Sequence, residues 1–256
     1  VLSDLLAGAV ADAEQRRAER PLSIVEAAAA SQSPAIDALS VLAPADRVKI
    51  IAEVKRASPS RGTLASITDP AALAVSYEFG GASAISVLTE GRKFLGTLAD
   101  LEQVRAAVNI PVLRKDFIGL PYQVFEARAA GADMVLLIVA ALDQATLVSL
   151  HDLVRQLGMT ALVETHSAEE VDRAVSIGAS LVGVNARDLS TFQLDQNLFG
   201  RLADRIPSGV VRVAESAVKT AADVAHYRSD GADIVLVGEA LVTSDPIRTL
   251  SEFLAV

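Results

Sequence analysis

The chain has 256 residues, 51% of them apolar and only 4% aromatic, with no cysteine and a formal net charge of −9. This composition suits one large aliphatic core of Ala, Val, Leu and Ile, and it excludes disulfides, thiolate metal sites and a cysteine nucleophile. The negative charge argues against nucleic acid or an anionic membrane as a partner. With no apolar run near the roughly 18 residues of a membrane span and no signal-peptide pattern at the start, a soluble, cytoplasmic protein is expected.

Residues 1–48 read as a helical extension. Leu2, Leu5, Leu6 and Val10 recur on one helix face, and the Ala-rich stretch Ala27–Ala30 gives a second short helix at best. Such a segment can plug one end of the fold or close over a substrate, and the sequence leaves both open. From residue 49 short apolar runs alternate with longer amphipathic stretches. The runs are Lys49–Lys55, Ser83–Thr89, Ile110–Asp116, Asp133–Ile138, Met159–Glu164, Leu181–Asn185, Val210–Glu215 and Asp233–Gly238. Between them lie helix signals. Asp69-Pro70 offers an N-cap followed by Pro at the first helical position, and Leu147, Leu150, Val154 and Leu157 recur at helical spacing. Eight strand–helix units demand parallel strands, and they favour a closed α/β barrel, the (β/α)8 TIM barrel, over an open sheet. The expected layout is one domain, with residues 1–48 as an extension acting as lid or plug and 49–256 as the barrel.

Active sites of such barrels gather at the carboxyl ends of the strands. Here strand interiors are almost uncharged and strand ends are charged or polar. Glu53 and Lys55 share the parity of Ile51 and face the mouth together. The third run ends Arg114-Lys115-Asp116-Phe117, the fifth at Glu164, the sixth at Asn185 and Arg187, the seventh at Glu215-Ser216. Opposed charges confined in a mouth shift one another's pKa values, as acid–base chemistry requires. The bland alternative, solvated strand ends, suits one lysine better than this concentration. Barrels often hold phosphate with the loops after strands seven and eight and a short extra helix. Those loops are Glu215-Ser216-Ala217 and Gly238-Glu239-Ala240-Leu241. Gly238 would let the backbone approach an anion, and Glu239 would offer its backbone, not its carboxylate. His151, His166 and His226 have no metal-ligand spacing, with His151 and His226 expected on helix surfaces. The GxGxxG fingerprint is absent, so neither a metal nor a cofactor is expected.

The stretch Ile51-Ala52-Glu53-Val54-Lys55-Arg56-Ala57-Ser58-Pro59-Ser60, with Gly62 after it, resembles the signature of the indole-3-glycerol phosphate synthase family. Ser86–Glu90 with Phe94 and Gly96, Pro111–Phe117, Glu164, Asn185–Leu189, Glu215-Ser216 and Val237–Leu241 resemble it as well, so the likeness spans the chain. It implies a carboxy-lyase of tryptophan biosynthesis with a small phosphorylated substrate and no cofactor. That substrate, 1-(2-carboxyphenylamino)-1-deoxyribulose 5-phosphate, closes to indole-3-glycerol phosphate with loss of carbon dioxide and water. The resemblance implies Lys115 as general acid on the ketone oxygen. Glu164 and Glu53 would stabilise the cationic intermediate and assist dehydration, and Lys55 would serve substrate anions and proton transfer. Asn185 and Ser216 would orient the substrate. Ser58, Phe94, Phe117, Arg187 and Glu215 would bind it, the two Phe flanking the anthranilate ring, and Ala217, Gly238 and Glu239 would hold the phosphate. A monomer is expected.

Two departures from the family pattern stand out. Ala186 replaces an Asn or Ser and should point away from the mouth. Ala217 replaces the Gly that follows the Glu-Ser pair. The alternatives are another phosphosugar barrel, such as phosphoribosylanthranilate isomerase, or a catalytically inactive binding barrel. Isomerisation needs one acid–base pair and no handling of a leaving carboxylate, so the paired Lys55 and Lys115 count against the first.

Overall fold

The structure, a computed structural model, describes residues 1–188 and 191–256. Three helices come first: α1 (Leu2–Glu19), α2 (Leu22–Ser31) and α3 (Ala38–Leu42). Strand β1 (Lys49–Val54) follows, and the loop after it carries a small hairpin, β2 (Ala57–Ser58) and β3 (Gly62–Thr63). Then come α4 (Pro70–Phe79), β4 (Ala84–Leu88), α5 (Leu98–Ala107), β5 (Val112–Lys115), α6 (Pro121–Ala129) and β6 (Met134–Ile138). The second half runs α7 (Gln144–Gln156), β7 (Thr160–Thr165), α8 (Ala168–Ser176), β8 (Leu181–Asn185), α9 (Leu198–Leu202), β9 (Val211–Glu215), α10 (Ala221–Ser229), β10 (Ile234–Val237), α11 (Glu239–Val242) and α12 (Pro246–Leu254). The strands β1 and β4–β10 close into an eight-stranded parallel barrel. Each apolar run of the sequence coincides with one of them to within two residues at either end, the usual uncertainty of element boundaries.

Alternation along the strands separates two cores. Ile50, Ala52 and Val54 join the aliphatic layer between strands and helices, whereas Ile51 joins Leu113, Met134, Leu136 and Leu162 inside the barrel. Asp69 caps α4 through the Ala72 amide with Pro70 at the first position, and Gly131 and Gly231 close their helices at φ 89° and 91°. The hairpin in the first loop has no counterpart among the sequence signals.

The extension divides its work between the two barrel ends. At the amino end, Ala38 and Leu42 of α3 belong to the interior cluster. There Lys49 Nζ donates to the Val41 carbonyl at 2.7 Å, and the Ile36 amide donates to Asp133 at 2.8 Å. At the mouth, Leu5 of α1 lines the cavity, and Leu6 and Val10 press on Gly119, where a Cβ would sit 3.0 Å from each. The Ala-rich stretch forms a full ten-residue helix, α2, packed on α6. One expectation is corrected: His151 is buried. It stands four residues after Leu147 and three before Val154, so it shares their inward stripe.

Asp133, at the start of β6, joins extension and barrel. Its carboxylate accepts from the Ile36 and Val112 amides and from Arg105 at 2.5 Å. Asp133→Ala leaves two amides without their acceptor and removes the carboxylate partner of Arg105, which keeps the Ile110 and Val108 carbonyls; the loss costs about 3 kcal/mol. For a chain of this size that is a fall of about 6–12 °C in the thermal midpoint. Differential scanning calorimetry checks it, and a shift under about 2 °C means the junction is held elsewhere.

Candidate active site

At the carboxyl ends of the strands lies a cavity of about 320 Å³, a size suited to a small molecule. Glu53, Lys55, Ser58, Phe94, Lys115, Phe117, Glu164, Asn185, Arg187, Glu215, Ser216, Ala217, Gly238 and Glu239 all line it. Leu189 of the sequence motif lies outside the described residues. Ala186 is buried away from the cavity.

The centre is Lys115, the last residue of β5. Its Nζ stands 3.9 Å from Glu53 Oε2 and 3.8 Å from Glu164 Oε2. Burial would lower its pKa, but Glu53, Glu164 and Glu215 outweigh burial and raise it, so it is an ammonium. Burial would likewise raise the pKa of Glu53. Lys55, 2.8 Å away, and Lys115 reverse that and keep it a carboxylate. Glu164 follows the same pattern, held low by Lys115 and then by His166 and Asn185. Asn185 Oδ1 accepts from Ser216 Oγ at 2.8 Å and from the Arg187 amide at 3.0 Å. That engagement turns its NH₂ toward donation.

Glu215 behaves oppositely. Burial first, and then Glu164, push its pKa well up, which favours its neutral form beside the carboxylate of Glu164. Neither of its side-chain oxygens meets the geometry of a hydrogen bond among the described residues, although it lies close enough to Glu164 to share a proton. Two glycines make room for this set. A Cβ on Gly183 would fall 2.0 Å from Glu215 Oε1, and one on Gly238 would fall 2.7 Å from Glu53 Oε1. Gly238 is thus required by the Glu53–Lys55 pair, whatever it does for an anion.

Phe94 and Phe117 touch each other, with centroids 6.1 Å apart and planes tilted by 44°. They make one aromatic wall, not the two sides of a ring-wide slot. On the far side, Glu239 pairs with Arg61 at 3.0 Å, and Arg187, half-buried, lies within the field of both and donates to the Phe192 carbonyl.

The family model for indole-3-glycerol phosphate synthase matches residues 2–252. The chain belongs to this family. The indole-3-glycerol phosphate synthase of Leifsonia xyli subsp. xyli is 74% identical over 99% of this chain and 97% of its own. That of Mycobacteroides abscessus is 58% identical over 96% and 90%. An N-acetylmannosamine-6-phosphate 2-epimerase structure from Clostridium perfringens superposes with a TM-score of 0.62 over 82% of this chain and 93% of its own. At 15% identity it shares the barrel alone.

In this family member three charged residues of the site region carry little signal in the sequence. Arg61 reads as an ordinary loop residue. His166 lacks the spacing of a metal ligand, yet it has the parity of Glu164, the rule that joins Glu53 to Lys55. Glu170, the partner of His166, carries no strand-end signal at all.

Ser216 and Ala217 both take positive φ, 68° and 58°. Each non-glycine residue there costs roughly 1–2 kcal/mol, of which glycine's unfolded-state entropy returns part. Ala217→Gly is expected to raise the thermal midpoint by about 2–4 °C, equivalent to about 1 kcal/mol. A lower midpoint in a thermal melt would show that the loop is not strained.

Proposed function

We propose that the chain converts 1-(2-carboxyphenylamino)-1-deoxyribulose 5-phosphate to indole-3-glycerol phosphate by general acid–base catalysis. The observation that carries this reading is Lys115 suspended 3.9 and 3.8 Å from the carboxylates of Glu53 and Glu164, with buried Glu215 lining the same cavity. In the ring closure, the aromatic carbon bearing the carboxylate attacks the ketone carbon. Lys115 gives its proton to the ketone oxygen, which becomes a hydroxyl. The carboxyl group leaves as carbon dioxide, its bonding pair restoring the aromatic ring. Loss of the hydroxyl as water then needs an acid at the oxygen and a base for a neighbouring proton.

Glu53 and Glu164 stay ionised, which suits them to oppose the positive charge on the ring nitrogen and to act as the base. Glu215 is the group whose protonation suits the acid. Lys55, paired with Glu53, and Lys115 meet the substrate carboxylate, while Asn185 and Ser216 fix the sugar hydroxyls. Ser58 and the Phe94–Phe117 wall bind the anthranilate end. The phosphate is placed at the Ala217 and Gly238–Glu239 loops. Arg61, Arg187 and Lys219 line that side of the cavity against the single carboxylate of Glu239, a locally positive corner on an acidic protein. Residues 1–48 belong to one domain with the barrel in this reading, since α3 fills one barrel end and α1 covers the other. A monomer that works in the cytoplasm completes the proposal.

The direct test is addition of the substrate with detection of indole fluorescence. Lys115→Ala should lower kcat by about 10² or more with a smaller change in KM. Glu164→Gln should abolish turnover while product binding stays measurable by titration. Lys115→Ala with most of its turnover intact would reduce Lys115 to a solvated strand end. Ala217→Gly should lower KM several-fold if the strained loop holds the phosphate, about 1.4 kcal/mol per tenfold. An unchanged KM would mean that the loop already fits Ala217 and that the departure from glycine is harmless.

A further inference from the structure

Behind Glu164, outside the cavity lining, His166 sits in a clamp of its own. Its Nε2 is 3.3 Å from Glu164 Oε1, and its Nδ1 is 3.1 Å from Glu170 Oε2 on α8. The same Glu170 oxygen accepts the His166 backbone amide at 2.7 Å, so ring and backbone are fixed by one carboxylate. The three side chains are 2–18% exposed, which shields the interaction from solvent and salt. Glu164 is thereby divided: Oε1 faces the imidazole, and Oε2 faces Lys115 and the cavity, with no hydrogen-bond partner among the described residues.

We propose that His166 is a positioning residue for the reaction, a ring that Glu170 fixes and that keeps Glu164 turned with Oε2 directed at the substrate. The inference rests on the catalytic reading of Glu164 given above. Burial works against the charged ring, but Glu164 and Glu170 on either side outweigh it and lift its pKa to about 10. A ring already protonated on both nitrogens across the neutral range accepts no proton from the substrate, so it acts only through Glu164. The charged groups that face Glu164 are Lys115 from β5, Glu215 from β9 and His166 itself; Glu53 from β1 reaches it through Lys115. Facing His166 are Glu164 and, from α8, Glu170. Lys115 is shared by three carboxylates, whereas among the described residues the Nε2 of His166 has Glu164 as its ion-pair partner, at 3.3 Å and outside hydrogen-bond geometry.

The test is the pH profile of kcat/KM for the full chain and for His166→Gln, Glu170→Gln and the double variant. Removing a cation beside Glu164 raises its pKa, so the carboxylate protonates at higher pH and the acidic limb moves up. His166→Gln should move that limb up by about one pH unit, a tenfold change in proton affinity. It should lower kcat about tenfold with KM within about twofold. In Glu170→Gln the ring stays protonated at the pH of the acidic limb, so that limb should stay in place. Its kcat/KM should fall instead as pH rises through the range where the freed ring loses its proton. The double variant should equal His166→Gln, because the two act in series. A histidine NMR titration gives a second readout: the His166 ring should titrate near pH 10 and fall toward the ordinary range, about 6.5, in Glu170→Gln. An unshifted limb in His166→Gln with only a lower thermal midpoint makes His166 a structural prop and overturns the proposal. If His166→Gln fails to fold, Glu170→Gln decides alone by the same two readouts. Glu164→Gln that keeps its turnover defeats the catalytic reading itself; Glu164→Gln inactive with an unshifted limb in His166→Gln defeats only this inference.

Discussion

Glu53, Glu164 and Glu215 are gathered in one mouth, each 3% exposed or less. A buried ion costs several kcal/mol unless it is paired, so the barrel must arrange its cations before it can arrange chemistry. Lys55, Lys115 and His166 balance the carboxylates of Glu53, Glu164 and Glu170. Glu215 has no cation left to itself. The proposed acid and base roles rest on counting charges in a closed space: the carboxyl group without a cation of its own is the one whose neutral form is favoured. The glycines belong to the same constraint, since Gly183 and Gly238 leave the room that the Glu215 carboxyl and the Glu53–Lys55 pair occupy.

Neighbouring residues on β5 show how a strand serves two networks. Lys115 points into the mouth, while Arg114, on the opposite face, is fully buried between strand and helices. Its guanidinium donates to Asp116 at 3.0 Å and to the Gln123 carbonyl at 2.7 Å, and it stands 3.4 Å from Glu126. Glu126 also receives Arg16 of α1 at 2.6 Å. The helix across the mouth is thus tied to the residue beside the central lysine. Arg92 adds a second tie to α1 through Asp12. Such charge-assisted, bidentate contacts give geometric precision, so a shift of α1 is felt at β5.

The barrel is legible in the sequence because its signal is repetitive: eight apolar runs of one parity pattern, each closed by turn chemistry. Glu53, Lys55, Lys115, Glu164 and Glu215 are legible because each ends an apolar strand, and a charge there is too costly to bury unless the strand delivers it to a polar mouth. Legibility fails where a residue acts through another. Glu170 lies on the first turn of α8, where Ser167-x-x-Glu170 looks like a capping box, and Ser167 Oγ does accept the Glu170 amide. The Glu170 carboxylate, however, reaches one residue further back, to His166. No periodicity encodes that choice. Arg61 is hidden for another reason: it sits between β2 and β3, in a hairpin whose two-residue strands are too short to show alternation.

Arg61 also accounts for a carboxylate at the border of the proposed phosphate site. Glu239 opens α11 at the end of β10, where its negative charge would repel a phosphate. Its pairing with Arg61 cancels that charge locally and ties the first strand–helix loop to the last. Arg187 lies in the same corner, where burial and Arg61 work against its charge and Glu239 supports it. The net charge of −9 is therefore no obstacle to anion binding. Spread over the whole surface it is screened beyond a Debye length of roughly 8–10 Å, whereas Arg61, Arg187 and Lys219 line the cavity itself.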